Sequence, residues 1–326
     1  MKLYFIAFLA ALLLTLLAGY ILLPILKKMK MGQTISDSMA DTHSGKQGIP
    51  TMGGVFFLLG TLAAASVLSF WNISKEGHLF LFCLMCTVVF GAIGFADDML
   101  KVLRRQNEGL TVKQKFIPQI FFAILIAVNA CFSEGIGSAI ALPFTDKVWN
   151  LGLFYIPVMA FIIVAVDNSA NILDGLDGLL GGNSAIIFGA FGIYALIRGG
   201  EAMVNVAVFC FAFAGAMIAF HRFNAYPARV FMGDTGSLAI GGAIAGIAIV
   251  TKGALLLPFM LITMIISSGS DIAQIIYMRR HKGRKLLRMS PLHHHLEKGG
   301  MPETTIVALY NIITFIGCAV ALILFA

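Results

Sequence analysis

The run Phe95-Ala96-Asp97-Asp98-Met99-Leu100-Lys101 sets two adjacent carboxylates ahead of a lysine, and that lysine shares a helical face with Asp97. Neighbouring carboxylates repel, so such a pair is stable only beside cations, beside a metal ion, or with one proton retained. A capped helix end carrying one ion pair is the plain alternative. Lys113 and Lys115 follow closely and add the positive charge that an anionic ligand wants.

A second polar run is Asp167-Asn168-Ser169-Ala170-Asn171-Ile172-Leu173-Asp174-Gly175-Leu176-Asp177-Gly178-Leu179. If its helix continues, Asp167, Asn171, Asp174 and Gly178 fall on one narrow stripe. Two Asp-Gly pairs then break the helix and let the backbone approach a ligand. Carboxylates and an amide oxygen are hard donors that suit Mg²⁺ better than zinc. A cap and turn alone would need fewer polar groups.

Three further motifs join these. In Phe231-Met232-Gly233-Asp234-Thr235-Gly236-Ser237, Asp234 is a candidate metal ligand, and the glycines let backbone N–H groups face a phosphate, although a generic turn reads the same way. Pro291-Leu292-His293-His294-His295-Leu296-Glu297 follows the basic run Arg279-Arg280-His281-Lys282-Gly283-Arg284-Lys285. Its histidines suit an anion site better than zinc, because no cysteine shares the loop. The basic run itself reads as an orientation signal or a contact to anionic lipid heads. Lys46-Gln47-Gly48-Ile49-Pro50-Thr51-Met52-Gly53-Gly54 offers a free cation, Lys46, beside a helix start.

The elements that must position these groups are set by composition. Of the 326 residues, 59% are hydrophobic and only 12% charged, with a mean hydropathy of +0.91. A soluble domain carries about 45–50% apolar and about 25% charged residues. A soluble globule, a disordered chain and a coiled coil are therefore excluded. An all-α integral membrane protein is expected, a single unit over residues 1–326 without repeat or linker. Apolar stretches near the length of a bilayer core fall at 3–26, 50–71, 78–96, 116–133, 154–172, 183–198, 202–220, 236–251, 254–277 and 304–325, about ten transmembrane helices. The segment 132–153 is the one sizeable outer loop.

Counted by alternating loops, 18 Lys and Arg fall on one side and five on the other: Lys2, Lys75, Lys147, Arg198 and Lys252. The positive-inside rule puts the rich side, with every motif above, in the cytoplasm and both termini outside. The net charge of +7 thus reflects orientation, and nucleic acid is not an expected partner. Cys83 and Cys86 form a C-x-x-C spacing inside an apolar run, which reads as packing and not as redox or zinc chemistry.

At these five ordered motifs the chain resembles the polyprenyl-phosphate N-acetylhexosamine-1-phosphate transferases, and within them the bacterial phospho-N-acetylmuramoyl-pentapeptide transferase branch. The resemblance runs from Lys46 to His295; departures such as Ile49 before Pro50 replace no proposed ligand. It implies transfer of phospho-MurNAc-pentapeptide from its UDP carrier to undecaprenyl phosphate, with release of UMP, in the bacterial cytoplasmic membrane. By motif, Asp234 and Asn171 would hold Mg²⁺, with Asp174 near the metal or the diphosphate. Asp97 would deprotonate or orient the acceptor phosphate, supported by Asp98 and Lys101. Lys46, Gly175, Leu176, Asp177, Asn224 and Phe231 would line a uridine pocket. His293, counted with the catalytic set, and His294 would meet the donor phosphates or sugar. Thr51, Lys113, Asn168 and His295 complete the expected substrate contacts. The implied partners are the UDP-sugar donor, the lipid acceptor and the bilayer, with a homodimer left open.

Three other readings stand beside this one. A UDP-GlcNAc transferase of the same superfamily would share the nucleotide and metal motifs. A transporter for an anionic lipid would need polar residues at mid-membrane, where only Asp271 is expected. A structural scaffold leaves the aspartate clusters without a purpose.

Overall fold

The computed structural model describes residues 2–28, 46, 48–71, 77–104, 109–145 and 147–325. Gln47 of the fifth motif, and Lys30, Lys75 and Arg105 of the loop count, lie outside the described residues. The protein is a helical bundle: α1 (Lys2–Lys28), α2 (Gly54–Trp71), α3 (His78–Arg104), α4 (Val112–Phe132), α5 (Tyr155–Leu173), α6 (Leu179–Arg198), α7 (Glu201–Asn224), α8 (Gly233–Val250), the short α9 (Leu257–Met260), α10 (Ile262–Arg280), α11 (Leu292–Lys298) and α12 (Glu303–Phe325). Among the described residues eight helices are long and apolar enough to cross a membrane, and a bent pair makes nine. The expected span at 50–71 is the shorter α2.

One expected span is not straight. The stretch 254–277 folds as two pieces that meet at a 77° bend around Leu261. Pro258 sits in the first turn of the short piece, and an apolar run reads the same on either side of such a break. The segment 132–153, expected as a loop, carries a short hairpin. Strands Ala139–Ala141 and Val148–Asn150 pair antiparallel, with Ile140 opposite Trp149. Backbone bonds tie this hairpin to Lys252, just past the end of α8, and to Leu324, at the end of α12.

The buried axis of the bundle is α8, whose side chains are almost all inaccessible. It packs along α3, and small residues allow the close approach. A Cβ on Gly94 of α3 would collide with the Asp234 carbonyl, and one on Gly242 of α8 would lie 2.6 Å from the Cys86 carbonyl. Cys83 and Cys86 are free, buried packing residues, as the apolar run implies. This contact brings the end of α3 against the start of α8. Because successive helices alternate in direction, the ends of α3, α5, α7 and α10 and the starts of α4, α6, α8 and α12 share one face. The hairpin, the start of α1 and the end of α12 lie at the other.

The interior is not wholly apolar. Asn183 of α6 accepts from Thr263 of α10 and from Thr314 of α12, and donates to Asn311 at 2.8 Å. The expectation that the spans lack buried polar groups apart from Asp271 is therefore too strict. These groups satisfy one another and clamp three helices.

Candidate active site

The carboxylate oxygens of Asp97, Asp98 and Asp234 lie within 4.8 Å of one another. Lys101 serves all three: its Nζ is 2.6 Å from Asp97, 3.6 Å from Asp98 and 3.2 Å from Asp234. The two neighbours in α3 have different work. Asp98 is wholly buried and accepts from the Asp234 and Thr235 backbone N–H groups and, at 2.7 Å, from the Thr235 hydroxyl. It caps the start of α8, where a negative charge meets the helix dipole favourably. Asp97 accepts the Leu110 N–H at 2.7 Å and lines a cleft of about 560 Å³.

Across that cleft, α4 starts at Thr111 with a reciprocal cap in which the Thr111 hydroxyl and the Gln114 side chain each satisfy the other's backbone N–H. One turn on, the Lys115 Nζ lies 2.9 Å from Asp234 and 3.1 Å from the Asn171 side-chain oxygen Oδ1. Asn171 donates to Asp234 and to the Ser237 hydroxyl, each at 2.8 Å. Deeper, Gln119 donates to the buried Asp167 at 2.7 Å and accepts from Asn168 at 3.1 Å. Asn168 thus lines the cleft but is held by Gln119 and by the Val164 carbonyl.

Lys113 is exposed and makes no side-chain bond or ion pair among the described residues. Lys115 takes the place expected for it. Residues two positions apart on a helix are separated by about 200°, so only one of the two lysines can face the cleft.

An apolar groove of about 410 Å³ adjoins the cleft, lined by Phe116, Ile120 and Ile124 of α4 and by Ile156, Ala160 and Val164 of α5, among others. Phe116 belongs to both cavities.

The second polar run does not continue as helix. α5 ends at Leu173, and Asp174 closes it with a non-helical backbone, so the proposed stripe stops at Asn171. The Asp174 carboxylate makes no bond among the described residues. Burial, with the charges of Asp234, Asp98 and Asp177, pushes its carboxyl well above the usual range. The chain then turns through Gly178, whose φ of +79° favours glycine. The Gly178 N–H donates to Asn224 at 3.1 Å, and Asn224 donates in turn to the Val230 carbonyl.

Asp177 faces a further cavity of about 470 Å³, beside Lys46, Tyr226, Ala228 and Glu303. It accepts from Lys46 at 2.8 Å and from the Ala228 N–H at 2.9 Å. Leu176 is buried behind it. Phe231 contributes its backbone, pairing with Pro50 and Gly53 and so tying the fifth motif to the third. Thr51 is buried there, its hydroxyl without a partner among the described residues.

The histidines form the back wall of the 174–178 turn. A Cβ on Gly175 would run into the His293 ring and lie 2.9 Å from the His294 ring. His293 is inaccessible and lines neither polar cavity; its Nδ1 is 3.5 Å from the Ser267 hydroxyl and its Nε2 has no partner among the described residues. Burial, and then the neighbouring His294, lower its pKa to about 3, so it is a neutral imidazole at pH 7. His294 pairs with Glu297 at 2.9 Å, and His295 accepts the Arg288 N–H at 3.0 Å. His295 therefore holds its own loop.

The structure thus gathers Asp97, Asp98, Lys101, Asn168, Asn171 and Asp234 around one cleft, and Lys46 and Asp177 around another. Lys115, expected there as added positive charge, joins them, and so do Gln119, Ser237 and Glu303, which were not proposed as site residues. Three carboxylates, those of Asp97, Asp98 and Asp234, face two ammonium groups. That excess of hard oxygen donors and negative charge fits a divalent cation such as Mg²⁺.

The family model described as Glycosyl transferase family 4 matches residues 80–252, and the phospho-N-acetylmuramoyl-pentapeptide-transferase signature 1 matches residues 46–58. The chain is similar to a phospho-N-acetylmuramoyl-pentapeptide-transferase of Clostridium novyi, 39% identical over 98% of this chain and 96% of the relative. It is 40% identical to that of Listeria innocua, with 98% of each covered, and 40% identical to that of Clostridium perfringens strain SM101, over 93% of this chain and 91% of the relative. With its aspartate-lined cleft at one end of a membrane-spanning bundle, this chain belongs to the phospho-N-acetylmuramoyl-pentapeptide transferase family.

Proposed function

We propose that this protein transfers phospho-MurNAc-pentapeptide from its UDP carrier to undecaprenyl phosphate, at the cytoplasmic face of the bacterial inner membrane, with both termini outside. An oxygen of the acceptor phosphate attacks the sugar-bearing phosphorus of the donor. The bond to the bridging oxygen breaks, and UMP leaves. One observation carries the reading: a charged cleft and an apolar groove share Phe116, so a phosphate head in the first leaves its isoprenoid chain in the second.

Asp234 and Asn171, with Asp174 close by, would hold Mg²⁺. Bound there, Mg²⁺ supplies charge neutralisation on the diphosphate. Asp97 orients the acceptor phosphate, and Asp98 fixes the start of α8. A phosphate monoester is already a nucleophile at neutral pH, so orientation matters more than proton removal. Lys101 and Lys115 offset charge at the reacting phosphates. Lys46 and Asp177 hold the uridine, and His293 buttresses the turn between the two cavities as a neutral group.

The test is UMP release by the detergent-solubilised protein with undecaprenyl phosphate and Mg²⁺, comparing UDP-MurNAc-pentapeptide with UDP-GlcNAc. Turnover with the first alone is expected. Comparable turnover of UDP-GlcNAc would reassign the donor, and no UMP from either would end the transferase reading.

A further inference from the structure

Glu303 opens α12, where an acidic residue reads as ordinary helix-start chemistry. Its carboxylate does something else. It accepts the Asp177 backbone N–H at 2.6 Å, and the Lys46 ammonium donates to its two oxygens at 2.7 and 2.9 Å. Three segments far apart in the chain therefore meet on one side chain that is only 8% exposed. Lys46 closes the ring, because its Nζ also donates to Asp177 Oδ1, and the Tyr226 ring centroid lies 6.0 Å from it.

A lysine carries a point charge on a flexible stem, so on its own it would not hold one geometry. Glu303 removes that freedom and at the same time fixes the turn that carries Asp177. The cavity these groups line holds an ammonium donor, a carboxylate acceptor and an aromatic ring. That set matches a planar ring bearing carbonyl oxygens beside an N–H, as in uracil. A carbonyl of such a ring would accept a hydrogen bond from Lys46, and its N–H would donate to Asp177.

We infer that Glu303 is a positioning residue for the donor's base, acting through Lys46 and the Asp177 turn. The inference rests on the nucleotide-donor reading above. It separates base recognition from the metal cleft, since Glu303 lines the cavity of Lys46 and Asp177 and not that of Asp97 and Asp234.

The experiment compares wild type with Glu303→Gln, Glu303→Asp, Lys46→Met and the Lys46→Met/Glu303→Gln double variant, each checked by thermal melting in detergent. Affinity for UDP is measured by titration, and KM and kcat are measured for donor and acceptor separately. Removing one charge-assisted contact is expected to cost about tenfold. Glu303→Gln should weaken UDP binding and raise the donor KM by about that factor. Its kcat and acceptor KM should stay within about twofold of wild type. Glu303→Asp, a methylene shorter, should fall between the two, and also reports if the glutamine variant fails to fold. The double variant should be worse than Lys46→Met alone by clearly less than the full Glu303→Gln factor, because the Lys46 contact is shared and only the Asp177 turn is left to lose.

A loss in kcat with an unchanged donor KM would overturn the assignment, as would penalties that multiply in the double variant. If wild type binds UDP and the Glu303 variants bind it equally well, the inference alone falls. If wild type neither binds UDP nor releases UMP, the nucleotide reading falls and takes this one with it.

Discussion

The ammonium of Lys115 lies 2.9 Å from the Asp234 carboxylate, although the two residues stand 119 positions apart, each in the first turn of its own helix. Lys113, nearer the cap of the same helix, reaches no partner among the described residues. Lys115→Met should therefore reduce turnover by about 100-fold or more, the scale for losing a preorganised charge at a reacting phosphate. Lys113→Met should stay within about twofold. Steady-state rates of the two variants decide it, and a reversed order would move the cationic role to Lys113.

The approach of α3 to α8 is as specific as the charges it aligns. Gly94→Ala puts a methyl group against the Asp234 carbonyl, whereas the same change at Gly189 of α6 enters open space. Overpacking of this kind costs about 1–3 kcal/mol. Thermal melting in detergent should show that loss for Gly94→Ala, with most of the activity gone, and no loss for Gly189→Ala.

Burial keeps His293 neutral, with a pKa lowered to about 3 against about 6.5 in the unfolded chain. Between those values the unfolded state binds the extra proton, so the contribution of His293 is full above about pH 6.5 and is lost progressively as pH falls toward 3. Melting temperatures should therefore drop between pH 7.5 and pH 5 in wild type. The drop should be smaller in His293→Asn, which cannot take up that proton. An equal drop in both would place the acid sensitivity elsewhere.

Topology can be read chemically. With 18 Lys and Arg on the motif side and five on the other, a cysteine placed at Lys147 in the hairpin should react with an impermeant reagent outside the cell. One placed at Arg284 should react only after lysis. The opposite pattern would invert the protein in the membrane.

Much of this arrangement was legible in the sequence, because hydropathy and charge asymmetry act over whole segments. The polar runs around Asp97, Asn171 and Asp234 stood out against apolar surroundings, and alternating helix direction put them on one face. What stayed hidden was local geometry. The bend at Leu261 leaves the apolar run unbroken, and three-residue strands are too short to show alternation. The choice of Lys115 over Lys113 depends on the rotation of α4, which the cap at Thr111 and the packing of α4 on α5 set together. Glu303 was invisible for a different reason: at the first turn of a helix an acid needs no further explanation, and its partners lie 126 and 257 residues away.

The central claim is that one phosphoryl group moves from a nucleotide to a lipid. It is tested most directly by labelling the donor separately on each phosphorus, with undecaprenyl phosphate and Mg²⁺ present. Label on the sugar-bearing phosphorus should pass into the lipid extract, and label on the uridine-bearing phosphorus should stay in water as UMP. The Asp234→Asn variant should move neither. Sugar-side label released into water without a lipid product, or uridine-side label found in the lipid, would contradict the account.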